Sequence, residues 1–524
     1  MLRRVLVLIG ALVLVTAGAV VAENVHTVGV NQYFASVDPA IGSGWTETAA
    51  FVNLYDALVE PLAMGGVSPH VATSWEISAD GKQYTFQLRD DVAFHSGDTV
   101  TAEDVAFSME RVLRINQGYA WLWATVLDPD SCCEVLDTHT IRFNLTSVFT
   151  PFLDTLTYLF IVDKDLVMSS LQDGDFGDYG DYGQAFFASS DAGSGAYKLK
   201  DWRRGEVLVF ERFAEYFKGW PRPNPIDEVQ FKQIPSEVTI VAEMTTGALT
   251  QCDHWRSTDL YGTIDELPNA KVVRFYEGTI FKFQMNVQRE PTSNVHVRRA
   301  ISYAFDYDTY LEIIEPGAEQ ARGPVASFIP MHATDAVQYN YDPAKAAEEL
   351  ALSGYNPGEL TVEFVYVLDF LLVEKVGLLL QQNLGAIGID VVLRPETWSR
   401  MVELASTPET SPQLMAVYGP SNYLHPDSYL WPCYHSSSAG TWASSEWVQD
   451  PEIDQWLEEA RRTLDEERAA ELYRLIQVKL TEEAVDVFLN PMFKRYPVQD
   501  YVEGITPMPI MGYGYNMWSY WYNN

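Results

Sequence analysis

The chain has 524 residues, of which 35 are lysine or arginine and 72 are aspartate or glutamate, so its formal charge is −37. The length predicts two or three structural units, and an apolar fraction of 47% excludes a disordered acidic protein. A field this negative repels phosphate groups, so we expect neither nucleic acid nor an anionic membrane surface as a partner.

The first 22 residues have the pattern of a secretory signal peptide. Arg3 and Arg4 form a short basic region, residues 5–15 form an apolar stretch, and Ala22 ends a segment of small residues suited to cleavage. The apolar run approaches a membrane span in length, but no basic stop-transfer cluster follows it. No cysteine stands at the cleavage point. We therefore expect a cleaved leader, no lipid, and a soluble periplasmic or extracytoplasmic protein.

The next elements alternate between loops and short regular segments. Residues 26–30 predict a strand, residues 31–44 a loop, and residues 51–62 a helix, because their apolar side chains recur at helical spacing. Residues 75–88 predict a hairpin in which alternate side chains face a core. Thr101 is placed to begin a helix, with the Asp104 carboxylate returning to cap it.

Two groups of residues could bind metal. The loop at residues 173–183 is rich in Asp and Gly and could hold calcium, but it lacks the spacing and terminal Glu of an EF-hand, which favours a solvated surface loop. His425, Cys433 and His435 could ligate a soft or borderline metal, yet such spacing carries little information. We expect no metal and no cofactor.

The four cysteines leave the disulfide state open. Cys132, Cys133, Cys252 and Cys433 allow three pairings in an exported chain. Sequence neighbours rarely bridge each other, so Cys132 and Cys133 would need other partners. Free buried thiols are equally consistent with the sequence, because a chain of this length needs no disulfides for its core.

The C-terminal half has a parallel pattern. Residues 360–367 and 389–393 read as strands on either side of an amphipathic helix that ends at Gly388, which is a βαβ unit. Asp342-Pro343 and Asp450-Pro451 each predict the start of a helix. The second of these helices should carry a buried face from Ile453 to Leu464. A final strand is predicted at residues 498–505.

Catalytic signatures are missing from the sequence. It contains no GxxxxGK[ST], no dinucleotide fingerprint, and no HExxH, CxxC or GxSxG motif. Paired carboxylates are too common in so acidic a chain to indicate a glycosidase. We therefore expect no enzyme, and a secreted hydrolase is only a remote alternative.

Residues 74–111, SWEISADGKQYTFQLRDDVAFHSGDTVTAEDVAFSMER, closely resemble the signature of the family 5 extracellular solute-binding proteins. These are the oligopeptide, dipeptide and nickel-type receptors of ABC importers. The resemblance continues through about 450 residues, nearly the whole exported chain. Its further segments are GSGAYKL (193–199), VRRAISYA (297–304), YDPAKAAEELALSGY (341–355), LGAIGIDVVLRPETW (384–398) and HPDSYLWPCYHSS (425–437).

The resemblance implies an α/β, two-lobed periplasmic-binding-protein-like fold of type II, or cluster C. Lobe I would hold residues 23–280 and 490–524, with residues 65–190 as an extra subdomain, and lobe II would hold residues 281–489. Such a receptor closes on a peptide or peptide-like solute and delivers it to an ABC permease with its ATPase subunits. We expect a monomer.

The resemblance also implies ligand-binding residues. In peptide-binding members an Asp four residues before the proline of a late loop pairs with the peptide α-ammonium; here the proline is Pro426 and that position is Asn422. An amide brings no charge, which weakens the expectation of a free ammonium there. Asp427 lies close in sequence and could substitute.

Aromatic side chains complete the predicted site. Trp398 matches a tryptophan that lines the cleft of several members, and Trp255 lies near a lobe I cleft edge by the same resemblance. Aromatic faces bind peptide side chains and also stack on sugar rings, so an oligosaccharide or other neutral solute is an alternative ligand. The remaining aromatic candidates, in the early and late loops, are Tyr33, Tyr418, Tyr423 and Trp431.

Overall fold

The computed structural model describes residues 24–419 and 422–523, so the predicted leader at residues 1–22 lies outside the described residues. The strands of these ranges are β1 Val25–Val30, β2 Val59–Pro61, β3 Val67–Pro69, β4 Ala72–Ile77, β5 Gln83–Leu88, β6 Cys133–Asp137, β7 Thr140–Asn144, β8 Tyr197–Arg203, β9 Val207–Arg212, β10 Glu228–Gln233, β11 Gln251–Cys252, β12 Ala270–Met285, β13 Leu360–Val367, β14 Ile389–Glu396, β15 Leu414–Tyr418, β16 Asp486–Gln499, β17 Val502–Glu503 and β18 Trp521–Tyr522.

The helices lie mainly between these strands. They are α1 Trp45–Leu54, α2 Ala102–Ile115, α3 Phe152–Thr155, α4 Lys164–Ser169, α5 Gln184–Phe187, α6 Glu237–Thr246, α7 Thr258–Asp265, α8 Val295–Ala304, α9 Tyr307–Thr309, α10 Pro343–Leu352, α11 Leu371–Ala386, α12 Trp398–Leu404, α13 Asp427–Tyr434, α14 Pro451–Arg462 and α15 Glu466–Glu482. Within the described ranges, no helix combines the length and the apolar composition that crossing a membrane requires.

Ten strands form one continuous sheet in the order β14-β13-β15-β12-β16-β11-β1-β10-β9-β8. At its centre the long strands β12 and β16 pair antiparallel from Ala270 opposite Gln499 to Gln284 opposite Asp486. The register of this pair shifts between Tyr276 and Ile280, which marks a bulge in the middle of the sheet.

The buried side chains fall into separate cores on the two sides of this bulge. The largest core and one smaller core combine side chains from residues 28–275 and 496–522, with Tyr423 added. Three others combine side chains from residues 280–489, with Ile510 added. The two-lobed α/β fold is thereby confirmed, while the predicted lobe limits at 280/281 and 489/490 remain predictions.

The predicted hairpin and capped helix are both present. Strands β4 and β5 pair antiparallel in a four-stranded sheet of order β4-β5-β7-β6, with Tyr84 and Phe86 buried. The Asp104 carboxylate accepts the backbone N–H of Thr101 at 2.8 Å and so caps α2.

The parallel unit was also predicted correctly. Strands β13 and β14 pair in parallel and are joined by α11. Gly388 ends the connection at a φ of 83°, a left-handed conformation that favours glycine. The Asp342 and Asp450 side chains cap α10 and α14 as predicted, each followed by the proline.

Three boundaries differ from the sequence prediction. The first helix begins at Trp45 and ends at Leu54, because the Leu54 carbonyl accepts the Gly195 N–H at 3.0 Å and Pro61 belongs to a strand. Helix α14 ends at Arg462, so Leu464 is not on its buried face; it is 56% exposed and lies against Gly81. The strand predicted at residues 498–505 is not continuous: β16 ends at Gln499, and the separate strand β17 covers Val502–Glu503.

The metal and cysteine candidates have structural explanations. In the loop at residues 173–183, Asp181 accepts three backbone amides, and the described ranges contain no group of three or more His, Cys, Asp or Glu arranged to hold a metal. All four cysteines are free, and the Sγ atoms of Cys132 and Cys133 lie 3.1 Å apart.

A buried ion pair ties the loop after β1 to the subdomain helix α2. Arg111 donates from Nη1 and Nη2 to the two carboxylate oxygens of Asp38, both at 2.6 Å, and from Nε to the Tyr182 carbonyl at 2.7 Å. Both side chains are buried. Because a bidentate pair fixes direction as well as distance, this contact positions the loop that leads to the cleft.

We predict that Arg111→Ala lowers the free energy of unfolding by about 3–5 kcal/mol, because it leaves the Asp38 carboxylate buried without a partner. Arg89→Ala is the matched control: Arg89 makes an equally bidentate pair with Asp91, but at the surface. Arg89→Ala should lower the free energy of unfolding by less than about 1 kcal/mol. Urea denaturation measures both values, and equal losses would contradict this account.

Candidate ligand-binding cleft

The carboxyl ends of parallel strands in both lobes point toward the bulge region. Strand β1 is parallel to β10 and β11, and β13 is parallel to β14 and β15. Ligands of open α/β sheets bind beyond such ends. The residues that follow these strands are Asn31 and Tyr33 after β1, Trp255 after β11, Phe370 after β13, Trp398 after β14, and Tyr418 at the end of β15.

An aromatic cluster joins the lobes at this position. The Trp255 ring meets the Phe370 ring edge-on at 5.9 Å and the Tyr418 ring at 5.4 Å. Tyr418 in turn stacks on Phe281 of β12, with ring centroids 4.5 Å apart. Each such pair contributes about 0.5–1.5 kcal/mol beyond its buried area, so the cluster helps to hold the two lobes together at this position.

The sequence analysis selected Trp255 and Tyr418 for the cleft but did not select Phe370, which contacts Trp255 in the structure. The signal was present, because Phe370 follows the first strand of the predicted βαβ unit, and side chains at such positions meet ligands. Two polar contacts reinforce the aromatic cluster: Thr258 donates to the Ile314 carbonyl at 3.0 Å, and Lys375 lies 3.1 Å from Asp259.

Buried polar atoms near the cluster have no hydrogen-bond partner among the described residues. They are the Oδ1 atom of Asn31, the Nε1 atom of Trp255 and the Oε1 atom of Glu277. Asn31 is held in place by two other bonds, from its N–H to Asp253 at 2.7 Å and from Nδ2 to the Trp255 carbonyl at 3.3 Å. Since buried polar groups are nearly always paired, these three atoms have hydrogen-bonding capacity that the described residues do not use.

The charged groups around the cleft are paired. Arg256 Nε donates to Asp253 at 2.6 Å, Arg495 pairs with Glu315, and Lys494 Nζ lies 2.9 Å from Glu277 Oε2. Burial lowers the pKa of His254 well below its ordinary value, and the nearby charge of Lys494 lowers it further. The cleft therefore has a neutral imidazole and balanced ion pairs, in contrast to the strongly negative chain as a whole.

Three predicted site residues form one cluster with Arg461 at the late loop and the start of α13. Arg461 donates to the two Asp427 oxygens at 2.6 and 2.9 Å, and the Tyr423 hydroxyl donates to Asp427 at 2.6 Å. Burial alone would raise the pKa of Asp427, but Arg461 lowers it below its usual range. Trp431 lies 3.5 Å beneath the Arg461 guanidinium. Both Asp427 oxygens therefore already have partners within the protein, and the roles of Tyr423, Asp427 and Trp431 as ligand contacts remain predictions.

The same arginine joins this cluster to the subdomain. The Arg461 carbonyl accepts the Thr150 N–H at 2.9 Å, and its guanidinium lies 4.9 Å from the Phe149 ring. Since Phe149 packs in the first core and the helix of Arg461 packs in another, this contact is a second junction between the lobes, which we call the Arg461 junction.

The remaining predicted residues lie around the cleft without joining the aromatic cluster. Asn422 is buried, and its backbone N–H donates to Ser428 at 3.0 Å. Trp398 is 44% exposed and meets Trp442 edge-on at 5.2 Å. Tyr33 is 56% exposed and lies against Gly205, so it rests on the β8–β9 hairpin.

Comparison with known proteins places the chain among extracellular receptors. The family model "Bacterial extracellular solute-binding proteins, family 5 Middle" matches residues 66–441. A probable D,D-dipeptide-binding periplasmic protein of Escherichia coli is 27% identical, with 97% of each chain covered. Among solved structures, Helicobacter pylori DppA in complex with the peptide STSA is 24% identical with a TM-score of 0.81, covering 95% of this chain and 98% of that one. Bacillus subtilis AppA with a nonapeptide is 20% identical with a TM-score of 0.81, covering 96% and 100%.

A buried histidine in the late loop predicts acid sensitivity. Burial lowers the pKa of His425 from 6.5 to about 4, so the unfolded chain takes up this proton at a higher pH than the folded chain. Its contribution to stability is complete above pH 6.5 and is lost as the pH falls. Between pH 7 and 5, the wild type should lose about 2 kcal/mol more than His425→Gln.

The matched control is His139→Gln, because His139 is only partly buried, in the turn between β6 and β7. Its unfolding free energy should follow the wild-type curve across the same pH range in urea titrations. A wild-type curve that runs parallel to that of His425→Gln would contradict the prediction.

Proposed function

The chain belongs to the family 5 bacterial extracellular solute-binding proteins, and we propose that it captures a peptide or peptide-like solute between its lobes and delivers it to an ABC permease. The observation that carries this proposal is the contact of Trp255 with Phe370 and Tyr418, which joins the two lobes across the carboxyl ends of their parallel strands.

The physical basis of capture is a shift between open and closed arrangements. Strands β12 and β16 each run without a break from one lobe to the other. Their regular pairing is interrupted at the bulge between Tyr276 and Ile280, so we place the hinge there. A ligand that contacts both lobes stabilises the closed arrangement by its differential affinity, and the permease then recognises that arrangement.

Peptides fit the cleft better than the other solutes considered. Unpartnered acceptors at Asn31 and Glu277 and an unpartnered donor at Trp255 match the alternating donors and acceptors of a peptide backbone. Two of the structurally similar proteins hold peptides. An oligosaccharide could also use an aromatic cleft, and it is the alternative that experiment must separate.

The proposal includes the setting in which the receptor works. Residues 1–22 are a leader that is removed on export without lipid attachment, and the mature protein acts outside the cytoplasm as a monomer. Residues 23–280 and 490–524 form lobe I, with 65–190 as its subdomain, and residues 281–489 form lobe II. The protein catalyses no reaction; sustained turnover of any candidate substrate without the permease would contradict this.

A thermal-shift screen tests the ligand class. Di- to tetrapeptide pools should raise the melting temperature, because a ligand at 100 times its Kd stabilises the folded state by about 2.7 kcal/mol. Oligosaccharide pools at the same concentration should leave it unchanged. If only the oligosaccharide pools raise the melting temperature, the ligand is a neutral sugar and not a peptide. If the protein converts either pool into products, it is a hydrolase.

We predict that Trp398→Ala weakens peptide binding about 10-fold while leaving the unfolding free energy within about 0.5 kcal/mol of wild type, because Trp398 is 44% exposed and lies outside the buried cores. Trp121→Ala is the matched control, since Trp121 is 41% exposed but lies on the subdomain. Titration calorimetry with the peptide pool that raises the melting temperature measures the affinity of both variants. Equal affinity for wild type and Trp398→Ala would remove Trp398 from the site.

A further inference from the structure

Cys132 and Cys133 bring their thiols unusually close together for two neighbours in a chain. Successive side chains of a strand point to opposite faces of the sheet, which keeps neighbouring sulfur atoms apart. Here Cys132 lies at the end of the turn before β6 and Cys133 begins that strand, and their Sγ atoms are 3.1 Å apart. The turn therefore directs both thiols to the same side.

The subdomain encloses this pair. Cys132 is 3% exposed, and Cys133 is partly buried opposite Phe143 of β7. The Cys132 carbonyl accepts the Asn144 N–H at 2.8 Å, so the backbone on both sides of the pair is held by the pairing of β6 with β7. The two side chains consequently have little freedom to separate.

Cys252 and Cys433 provide a contrast within the same chain, because they are buried but solitary thiols. Cys252 packs in the core of α6 and α7, and Cys433 packs in a core on the other side of the bulge. Both are free, and their separate cores keep them apart. Burial is therefore common to all these thiols, and proximity to a second thiol is particular to Cys132 and Cys133.

The surroundings of the pair disfavour a thiolate. Burial raises the pKa of the Cys133 thiol well above its ordinary value, and Cys132 and the Glu110 carboxylate raise it further. Because the thiolate is the nucleophile in thiol–disulfide exchange, the folded pair reacts slowly. A disulfide carries no charge, so the same surroundings accept it without this electrostatic cost.

We propose that a disulfide joins Cys132 to Cys133 in the exported protein, and that the two free thiols in the structure are its reduced form. The bond forms outside the cytoplasm while the chain is still unfolded, because both thiols are then exposed and have ordinary reactivity. Folding afterwards encloses the ring in the subdomain. The inference rests on the proposed export and is independent of the identity of the ligand.

The oxidant is a disulfide of a small molecule or of another protein, RSSR. One cysteine thiolate attacks a sulfur atom of RSSR, breaks its S–S bond and releases one thiol RSH after protonation. The second thiolate attacks the protein sulfur of this mixed disulfide, forms the Sγ–Sγ bond and releases the second RSH. The cysteine pair thus loses two protons and two electrons, and RSSR gains them.

The short spacing of neighbours explains why such bonds are rare and what kind of bond this one is. Two Cα atoms joined by a trans peptide are about 3.8 Å apart, whereas bridged cysteines usually lie about 4.4–6.8 Å apart. The bond between neighbours is therefore easier to reduce than a bond between distant residues. It acts as a redox-sensitive mark on the subdomain and not as a staple of the core.

Differential labelling of the thiols tests the proposal. The protein is collected from the extracytoplasmic fraction directly into urea with N-ethylmaleimide, digested and measured by mass spectrometry. The peptide with Cys132 and Cys133 should be unlabelled and two hydrogen atoms lighter than its dithiol form, while Cys252 and Cys433 should be labelled. Treatment with dithiothreitol before labelling should make all four cysteines react.

A single variant and a refolding reaction complete the test. In Cys132→Ser, Cys133 loses its partner and should be labelled together with Cys252 and Cys433. Reduced wild type that is unfolded in urea with oxidised glutathione and then refolded should contain the same ring, with no glutathione attached to it. This second reaction does not depend on export.

Each outcome decides a defined point. Labelling of Cys132 and Cys133 in the exported wild type without reduction overturns the disulfide alone, as does glutathione that stays attached to them after refolding. An unlabelled Cys133 in Cys132→Ser also overturns it, because the protection then does not come from the pair. Absence of the protein from the extracytoplasmic fraction contradicts the proposed export and the bond formed on export together, whereas peptide binding is unaffected by any of these results.

Discussion

The antiparallel pairing of β12 with β16 is the constraint on which the rest of the molecule depends. These two strands lie at the centre of the ten-stranded sheet, and each runs from the cores on one side of the bulge to those on the other. They also hold buried ion pairs: Lys282 of β12 with Asp486 of β16 at 3.1 Å, and Glu277 of β12 with Lys494 of β16. A slip of one residue would separate these charges, so the pairs specify register more than they add stability.

The acidic residues at the surface and those near the β12–β16 pair have different roles. Most of the 72 acidic residues lie at the surface, where they keep the chain hydrated. Along the ladder and the cleft each carboxylate has a defined neighbour, such as Arg256 for Asp253 or Arg495 for Glu315. The net charge therefore describes the exterior, and recognition depends on a few buried groups whose hydrogen-bonding capacity is incomplete.

The sequence allowed much of the architecture to be predicted, while the ligand-binding residues that it suggested remain predictions. Periodicity identified the hairpin at β4 and β5 and the βαβ unit, because both depend on local alternation of side chains. Trp255 and Tyr418 were selected through resemblance, and the structure brings their rings together at 5.4 Å. The pairing of Asp427 could not be predicted, because its partner Arg461 lies 34 residues away along the chain.

The Arg461 junction has a kinetic consequence. It lies between the subdomain and the helix that carries Arg461, away from the bulge, and it must break before the lobes can separate. A solute held between the lobes therefore leaves only when this remote contact opens in addition to the solute's own contacts. The lifetime of the loaded receptor, and hence the time available to meet a permease, is then partly set by residues that never touch the cargo.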